Sequence, residues 1–215
     1  ACEWHGTAVI ALADGAGSAA FSQEGAETVC REIAMVFSSS FDAFDAEIDG
    51  TLVKQQILAR LRTALAARAD ECASSVDALA STLLAVAVKG DRFILLHIGD
   101  GVIGCLHDNR LVVLSQPVNG EFINTTVFVT SPEATDTMKL VKGDVADICG
   151  FVLLSDGTEM SLYDRQQKTL APVLHRVFNA VCEEGRANVE EMLRGSFENS
   201  VIQATGDDCS IALMV

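Results

Sequence analysis

The stretch AVIALADGAGS, Ala8 to Ser18, decides how this sequence is read. A strand-like apolar run stops at a carboxylate, Asp14, and continues with small residues only: Gly15, Ala16 and Gly17. One such ending is an ordinary Asp-Gly turn. The same grammar returns in FILLHIGDG, Phe93 to Gly101, and in FVLLSDG, Phe151 to Gly157. It runs backwards in GDDCSIALMV, Gly206 to Val215, where the acids precede the apolar run. A strand-ending turn accounts for any one of these segments, but their recurrence asks for a shared purpose.

The elements around these segments set the fold class. The run at residues 7–14 is apolar without interruption, which predicts a strand covered on both faces. Residues 23–37 carry Ala26, Val29, Cys30, Ile33 and Phe37 at helical spacing, with Ser22 as the expected N-cap. The acidic segment 41–50 reads as a loop, and a second helix follows over 51–72 with Val53, Ile57, Leu61 and Leu65 on one stripe. STLLAVAV (81–88) and RFILLHIG (92–99), joined by Lys89-Gly90-Asp91, form a hairpin signal. VIGCL and RLVVL continue it as an antiparallel meander around His107-Asp108-Asn109. Residues 116–126 are polar and turn-rich, ahead of a short strand at VFVT (127–130). Further helices are expected near 169–184, capped by Thr169 and ended by Gly185, and near 189–200, with Asn188 and Glu191 as a capping box. SIALMV is the last strand.

Strands joined by short turns, with helices in separate blocks, indicate an α+β protein rather than alternating βαβ units. Strands this apolar need both faces buried. Two antiparallel sheets packed together and flanked by helices, a four-layer α/β/β/α sandwich, achieve that. No linker, repeat or low-complexity tract divides the 215 residues, so a single domain over 1–215 is expected.

Composition narrows the function. A net charge of −15 repels phosphate backbones and anionic lipid, which excludes nucleic acid and membrane surfaces as main partners. No apolar run approaches the roughly 20 residues a transmembrane helix needs, and no secretory signal is visible. The 7 cysteines include no C-x-x-C pair, and Cys105, Cys149 and Cys209 lie in apolar surroundings, as expected for reduced core thiols in the cytoplasm. The 4 histidines lack zinc-ligand spacing. His97, inside an apolar strand, reads as a core residue. Ser155 has neither a G-x-S-x-G elbow nor a paired base and is not read as a nucleophile.

In an antiparallel sheet, the end of one strand and the start of its neighbour share a rim. Asp14, Asp100 and Asp156 end strands, and Asp207 and Asp208 precede one, so neighbouring strands of alternating direction would bring these acids to one edge. Crowded carboxylates repel, and hard divalent cations remove that penalty. Mg²⁺ and Mn²⁺ prefer carboxylate, carbonyl and water oxygens. Gly15, lacking a Cβ, lets a carbonyl or a hydrated anion approach closely.

In order along the chain, the motifs LADGAGS (12–18), ASTLL (80–84), IGDG (98–101), GEFINTTVFVT (120–130), LLSDGTE (153–159) and DDCS (207–210) resemble the type-2C metal-dependent protein phosphatases, the PPM family, in its bacterial branch. The family fold is the sandwich inferred above. The resemblance implies that Asp14 bridges two metals with the Gly15 carbonyl on the second, and that Asp156 and Asp207 hold the first. It implies that Asp100 joins Asp156 on a third, weaker ion, and that Asp208 supports the ligands from behind. The catalytic residues would then be Asp14, Asp156 and Asp207, and the cofactors two or three Mg²⁺ or Mn²⁺ ions. A metal-bridging hydroxide would attack a phosphoserine or phosphothreonine of a protein substrate in line.

The chain departs from the family pattern at three points. The acidic pair ahead of the first strand is absent; a short segment before Ala1 is expected to supply it, with Glu3, placed slightly late, as the alternative. Ala16 stands where many eukaryotic members carry a His proposed to protonate the leaving alkoxide, as other non-His residues do in many bacterial members, so water or another group would supply that proton. The phosphate-gripping base is not identified; Arg31, Lys54 and Arg92 are candidates only as cations. The expectation is a cytoplasmic, monomeric metal-dependent serine/threonine protein phosphatase. The alternative is a pseudophosphatase that binds phosphoproteins as a regulatory module.

Overall fold

The computed structural model describes residues 1–117, 126–201, 205 and 207–215, and of residues 159, 160 and 200 the backbone only. The chain begins with β1 (Cys2–Trp4), β2 (Thr7–Leu12), α1 (Ser22–Ala46) and α2 (Gly50–Glu71). There follow β3 (Leu83–Lys89), β4 (Arg92–Ile98), β5 (Val102–His107), β6 (Arg110–Ser115), α3 (Ala134–Thr137) and β7 (Lys139–Asp144). Last come β8 (Ile148–Leu154), α4 (Glu159–Leu162), β9 (Tyr163–Asp164), β10 (Thr169–Leu170), α5 (Val173–Glu184), α6 (Arg186–Ser196) and β11 (Ile211–Met214). Helices plus antiparallel sheets make the α+β class expected from the sequence. Among the described residues no helix is long and apolar enough to cross a membrane.

The described residues form two compact units. The first comprises Ala1–Asp100 and Pro117–Val145. Its sheet has the order β1-β2-β3-β4-β7, antiparallel throughout, with Leu12 opposite Leu84 and Leu83 opposite Ile98. Every residue from Leu83 to Ala87 and from Phe93 to Ile98 is buried, as the uninterrupted apolar runs require. Helices α1 and α2 cover one face, where Val29, Ile33 and Phe37 of α1 and Ile57, Leu61 and Leu65 of α2 join Val9, Ala85, Ala87, Ile94 and Leu96 in one core.

Helix α1 runs nine residues past its expected end, to Ala46, through the segment read as a loop. Phe37, Phe41 and Phe44 carry the buried stripe onward at helical spacing, and their packing overrides three serines and two aspartates. Ser22 is the first helical residue rather than the cap, which is Phe21 and makes no side-chain capping bond. Helix α2 has the stronger start: Asp49 Oδ1 accepts the amides of Thr51 at 2.9 Å and Leu52 at 3.3 Å.

The second unit comprises Gly101–Gln116 and Ala146–Val215, with the sheet order β11-β8-β5-β6. The expected meander therefore stops after β4, whose outer partner is β7, while β5 pairs with β6 and β8. Strand β7, KLVKGD, is half-exposed and carries two lysines and an aspartate, so it has no apolar signature. The β5–β6 turn is as read, with Asp108 and Asn109 both at positive φ. Helix α5 lies on this sheet, with Leu174 and Phe178 against Val102, Leu106, Val152 and Leu154.

Three more expectations are corrected in detail. Helix α5 starts at Val173, because Thr169 and Leu170 pair with Asp164 and Tyr163 and Pro172 sets the cap. Helix α6 begins at Arg186, directly after Gly185 at φ 82°, and Asn188 donates to the Glu184 carbonyl instead of capping. Residues 127–130 are not a strand, although Val127 and Val129 are buried. The motif residues 120–125 lie outside the described residues. None of the 7 cysteines forms a disulfide; Cys105 is buried, but Cys149 is exposed and Cys209 half-buried.

Candidate active site

In the first unit the site residues gather around the start of β3. Asp14 follows β2, and its amide donates to the Thr82 hydroxyl at 2.9 Å. The Thr82 amide donates to the Asp14 carbonyl at 2.8 Å, and Gly15 bridges Ser81. A Cβ on Gly15 would stand 2.7 Å from Ser22 Cβ, so the chain can follow this path only with glycine there. Across β3, Gly99 has φ 114° and a Cβ there would meet Thr82 Cγ2 at 2.6 Å. Thr82 thus packs between the Asp14 and Asp100 turns. The Thr126 hydroxyl donates to Asp100 Oδ2 and orients that carboxylate. The segment after Thr126 is tied down as well: the Val129 amide donates to the Ser81 carbonyl at 2.9 Å, and Arg62 Nη2 of α2 donates to the Ser131 carbonyl at 2.7 Å.

In the second unit, Asp156 and Asp207 come from adjacent strands. β8 ends at Leu154 opposite Ile211, the first residue of β11. Beyond that rung the Ser155 amide donates to the Ser210 carbonyl at 3.0 Å. Asp156 opens a single tight turn, Asp156–Thr158, and accepts the Gly157 amide at 2.8 Å. Gly157 lies flat on the opposite segment, where a Cβ would come within 2.3 Å of the Asp208 carbonyl oxygen. Cys209 Sγ donates to the Gly157 carbonyl at 3.2 Å. Asp156 is half-buried, whereas Asp207 and Asp208 are exposed.

The expected acids therefore do not line one sheet edge. Asp14, Gly15 and Asp100 share a rim of the five-stranded sheet, and Asp156, Asp207 and Asp208 share a rim of the four-stranded one. Among the described residues, neither unit by itself assembles three or more His, Cys, Asp or Glu side chains as a ligand set. The donors on both rims are carboxylate and carbonyl oxygens, the set that suits Mg²⁺ or Mn²⁺, and the glycines keep side chains out of the space beside them. The residues present fit hard divalent cations.

Sequence reasoning missed the hydroxyls. Thr82, Thr126 and Ser155 each bond a segment that carries an acid, and each sits inside a motif already singled out. His97 is the core histidine expected. It is wholly buried with Nε2 3.0 Å from the Gly99 carbonyl, and burial, aided by the Lys139 charge, lowers its pKa to about 3. Arg92, one of three cations considered for phosphate, is committed elsewhere, to Asp45 of α1 at 3.0 Å and Asp144 of β7 at 2.7 Å.

Comparison with known proteins bears on the family and the fold. A curated relative, Serine/threonine-protein phosphatase 3 of Escherichia coli (strain K12), is 25% identical over 211 residues, 95% of this chain and 82% of its own. Among solved structures, serine/threonine phosphatase Stp1 from Staphylococcus aureus superimposes with a TM-score of 0.59 at 13% identity, covering 95% of this chain and 82% of that one. The catalytic domain of serine threonine protein phosphatase PstP, solved in complex with 2 manganese ions, gives 0.57 at 19% identity, with 95% and 85% covered. These likenesses establish the shared fold. The family model described as Protein phosphatase 2C matches residues 1–194, nearly the whole chain, and the chain belongs to the protein phosphatase 2C family.

Proposed function

We propose that this protein is a Mg²⁺/Mn²⁺-dependent phosphatase that removes phosphate from phosphoserine and phosphothreonine in protein substrates. The observation that carries the reading is the family match over residues 1–194, which takes in Asp14, Gly15, Asp100 and Asp156. Asp207 lies beyond that match and is assigned by the DDCS motif and by its place beside the Asp156 turn. The manganese ions of PstP and the name of the curated relative support the same choice of metal and substrate.

Asp14, the Gly15 carbonyl, Asp156 and Asp207 are the groups proposed to hold two cations, with Asp100 and Asp156 proposed for a third. Bound there, divalent cations would activate a water as nucleophile and draw charge from the phosphoryl oxygens. The protein's own part is to fix the carboxylates before substrate arrives. Thr82 locks the backbone of Asp14 in both directions, and Thr126 orients Asp100. Ala16 offers no titratable group, so water or another group must supply the proton to the leaving alkoxide. Ser155 cannot act as a nucleophile, because it is 2% exposed and its oxygen is bonded on both sides.

The test is hydrolysis of p-nitrophenyl phosphate and of a phosphothreonine peptide with Mn²⁺ and with chelator. Activity should require the metal, and Asp156→Asn should lower kcat/KM on the order of 100-fold or more. Full activity in Asp156→Asn would refute the ligand assignment. A folded protein that binds the phosphopeptide without turning it over would establish the pseudophosphatase reading instead.

A further inference from the structure

Strand pairing between β8 and β11 ends at Leu154 and Ile211, and the acid-bearing segments begin just beyond it. Beyond that rung the main chain contributes the bond from the Ser155 amide to the Ser210 carbonyl at 3.0 Å, which ties the segments at one side of Ser155 only. The Ser155 side chain occupies this point. Its Oγ accepts the Ser210 amide at 2.9 Å and donates to the Asp208 carbonyl at 3.3 Å. On its own side, the Ser155 carbonyl accepts both the amide and the hydroxyl of Thr158, at 3.1 and 2.7 Å, which closes the Asp156 turn. Ser155 itself is 2% exposed, which shields its end of these bonds, while Asp208 and Ser210 are exposed.

We infer that Ser155 is a positioning residue whose hydroxyl staples the Asp156 turn to the 207–210 segment and so sets the spacing of two carboxylates for a hard divalent cation. The inference rests on the metal-dependent reading above and adds a residue to it. The staple has the right chemistry for the task. A hydroxyl donates and accepts at once, so one side chain reaches two successive backbone groups of the facing segment. Alanine there would remove both bonds, and the exposed 208–210 segment could then turn its amide and carbonyl to water and relax away from the turn.

The test titrates Mn²⁺ into the metal-free protein and follows free Mn²⁺ by electron paramagnetic resonance, which does not depend on turnover. Removing a group that orients ligands typically costs 10–100-fold in metal affinity, so Ser155→Ala should raise the Mn²⁺ Kd by roughly 10-fold or more. Ser155→Thr, which keeps the hydroxyl, should restore most of the affinity. Thr28→Val removes the bond from a buried hydroxyl to the Glu24 carbonyl within α1 and should lower thermal stability while sparing the Kd. Wild-type affinity in Ser155→Ala, or an equal loss in Thr28→Val, would overturn the staple.

Hydrogen exchange on the wild-type protein tests the idea even if Ser155→Ala fails to fold. Peptides covering 153–158 and 207–210 should gain protection together as Mn²⁺ is added, and a gain confined to one of them overturns it. A wild-type protein that binds Mn²⁺ with the predicted Ser155 dependence but hydrolyses no phosphoester sinks only the proposed function. One that binds no Mn²⁺ sinks both.

Discussion

Asp14 and Thr82 hold each other through a reciprocal pair of bonds: the Asp14 amide donates to the Thr82 hydroxyl at 2.9 Å, and the Thr82 amide donates to the Asp14 carbonyl at 2.8 Å. Only the second survives in Thr82→Val, which keeps the side-chain shape. Thr82 is 5% exposed and Asp14 half-buried, so water recovers part of the lost bond. The expected cost is about 1 kcal/mol, or a melting temperature lower by about 2–4 °C for a chain of this size. Because Asp14 is the proposed bridging ligand, kcat should fall by more than that loss of stability explains. Unchanged kcat with a lowered melting temperature would show that Thr82 serves the fold alone.

His97 makes stability depend on acid. Its pKa falls from 6.5 in the unfolded chain to about 3 in the folded one, chiefly through burial. Between these values the unfolded state binds a proton that the folded state refuses, so stability is full above pH 6.5 and is lost progressively as pH falls toward 3. The slope in that window approaches about 1.4 kcal/mol per pH unit from this one residue. Urea unfolding of the wild type at pH 7 and pH 5 should show the loss, and His97→Gln should lose less over the same interval. Equal losses in both proteins would remove His97 as the cause.

Arg92 separates a structural cation from a substrate-binding one. It joins α1 to β7 through Asp45 and Asp144, and those hydrogen bonds hold its guanidinium protonated at any working pH. Arg92→Met keeps the apolar stem and removes both ion pairs. The melting temperature should drop measurably, more at low salt than at high, while KM for p-nitrophenyl phosphate stays as in the wild type. A raised KM with an unchanged melting temperature would return Arg92 to the list of phosphate-binding candidates.

What could be read in the sequence was local, and what could not was pairing. β2, β4, β8 and β11 announce themselves as apolar runs beside Asp-Gly or Asp-Asp, so the places of Asp14, Asp100, Asp156 and Asp207 at strand ends were legible from the residues alone, though not their division between two sheets. The switch from β4 to β7 was not, because the Gly99-Asp100-Gly101 turn looks like any hairpin connection and β7 carries its polar residues as an edge strand does. The overrun of α1 was hidden by Ser38, Ser39 and Ser40, which locally disfavour a helix, and only the burial of Phe41 and Phe44 outweighs them. Thr82, Thr126 and Ser155 stayed silent for a related reason. A hydroxyl has a role only once its neighbour across the sheet is known.

Two glycines that the sequence presents alike, Gly17 and Gly157, differ in what surrounds them. A Cβ on Gly17 meets nothing within 4 Å, whereas one on Gly157 would lie 2.3 Å from the Asp208 carbonyl oxygen and 2.9 Å from its carbon. Those are backbone atoms and cannot swing aside as a side chain would, so Gly157→Ala must push the Asp156 turn and the 207–208 segment apart. The strain acts where two proposed ligands meet. Mn²⁺ half-saturation should rise and kcat/KM fall by about 10-fold or more, with Gly17→Ala close to wild type in both. If Gly157→Ala keeps wild-type Mn²⁺ affinity, the close packing of these two segments is not what sets the spacing of Asp156 and Asp207.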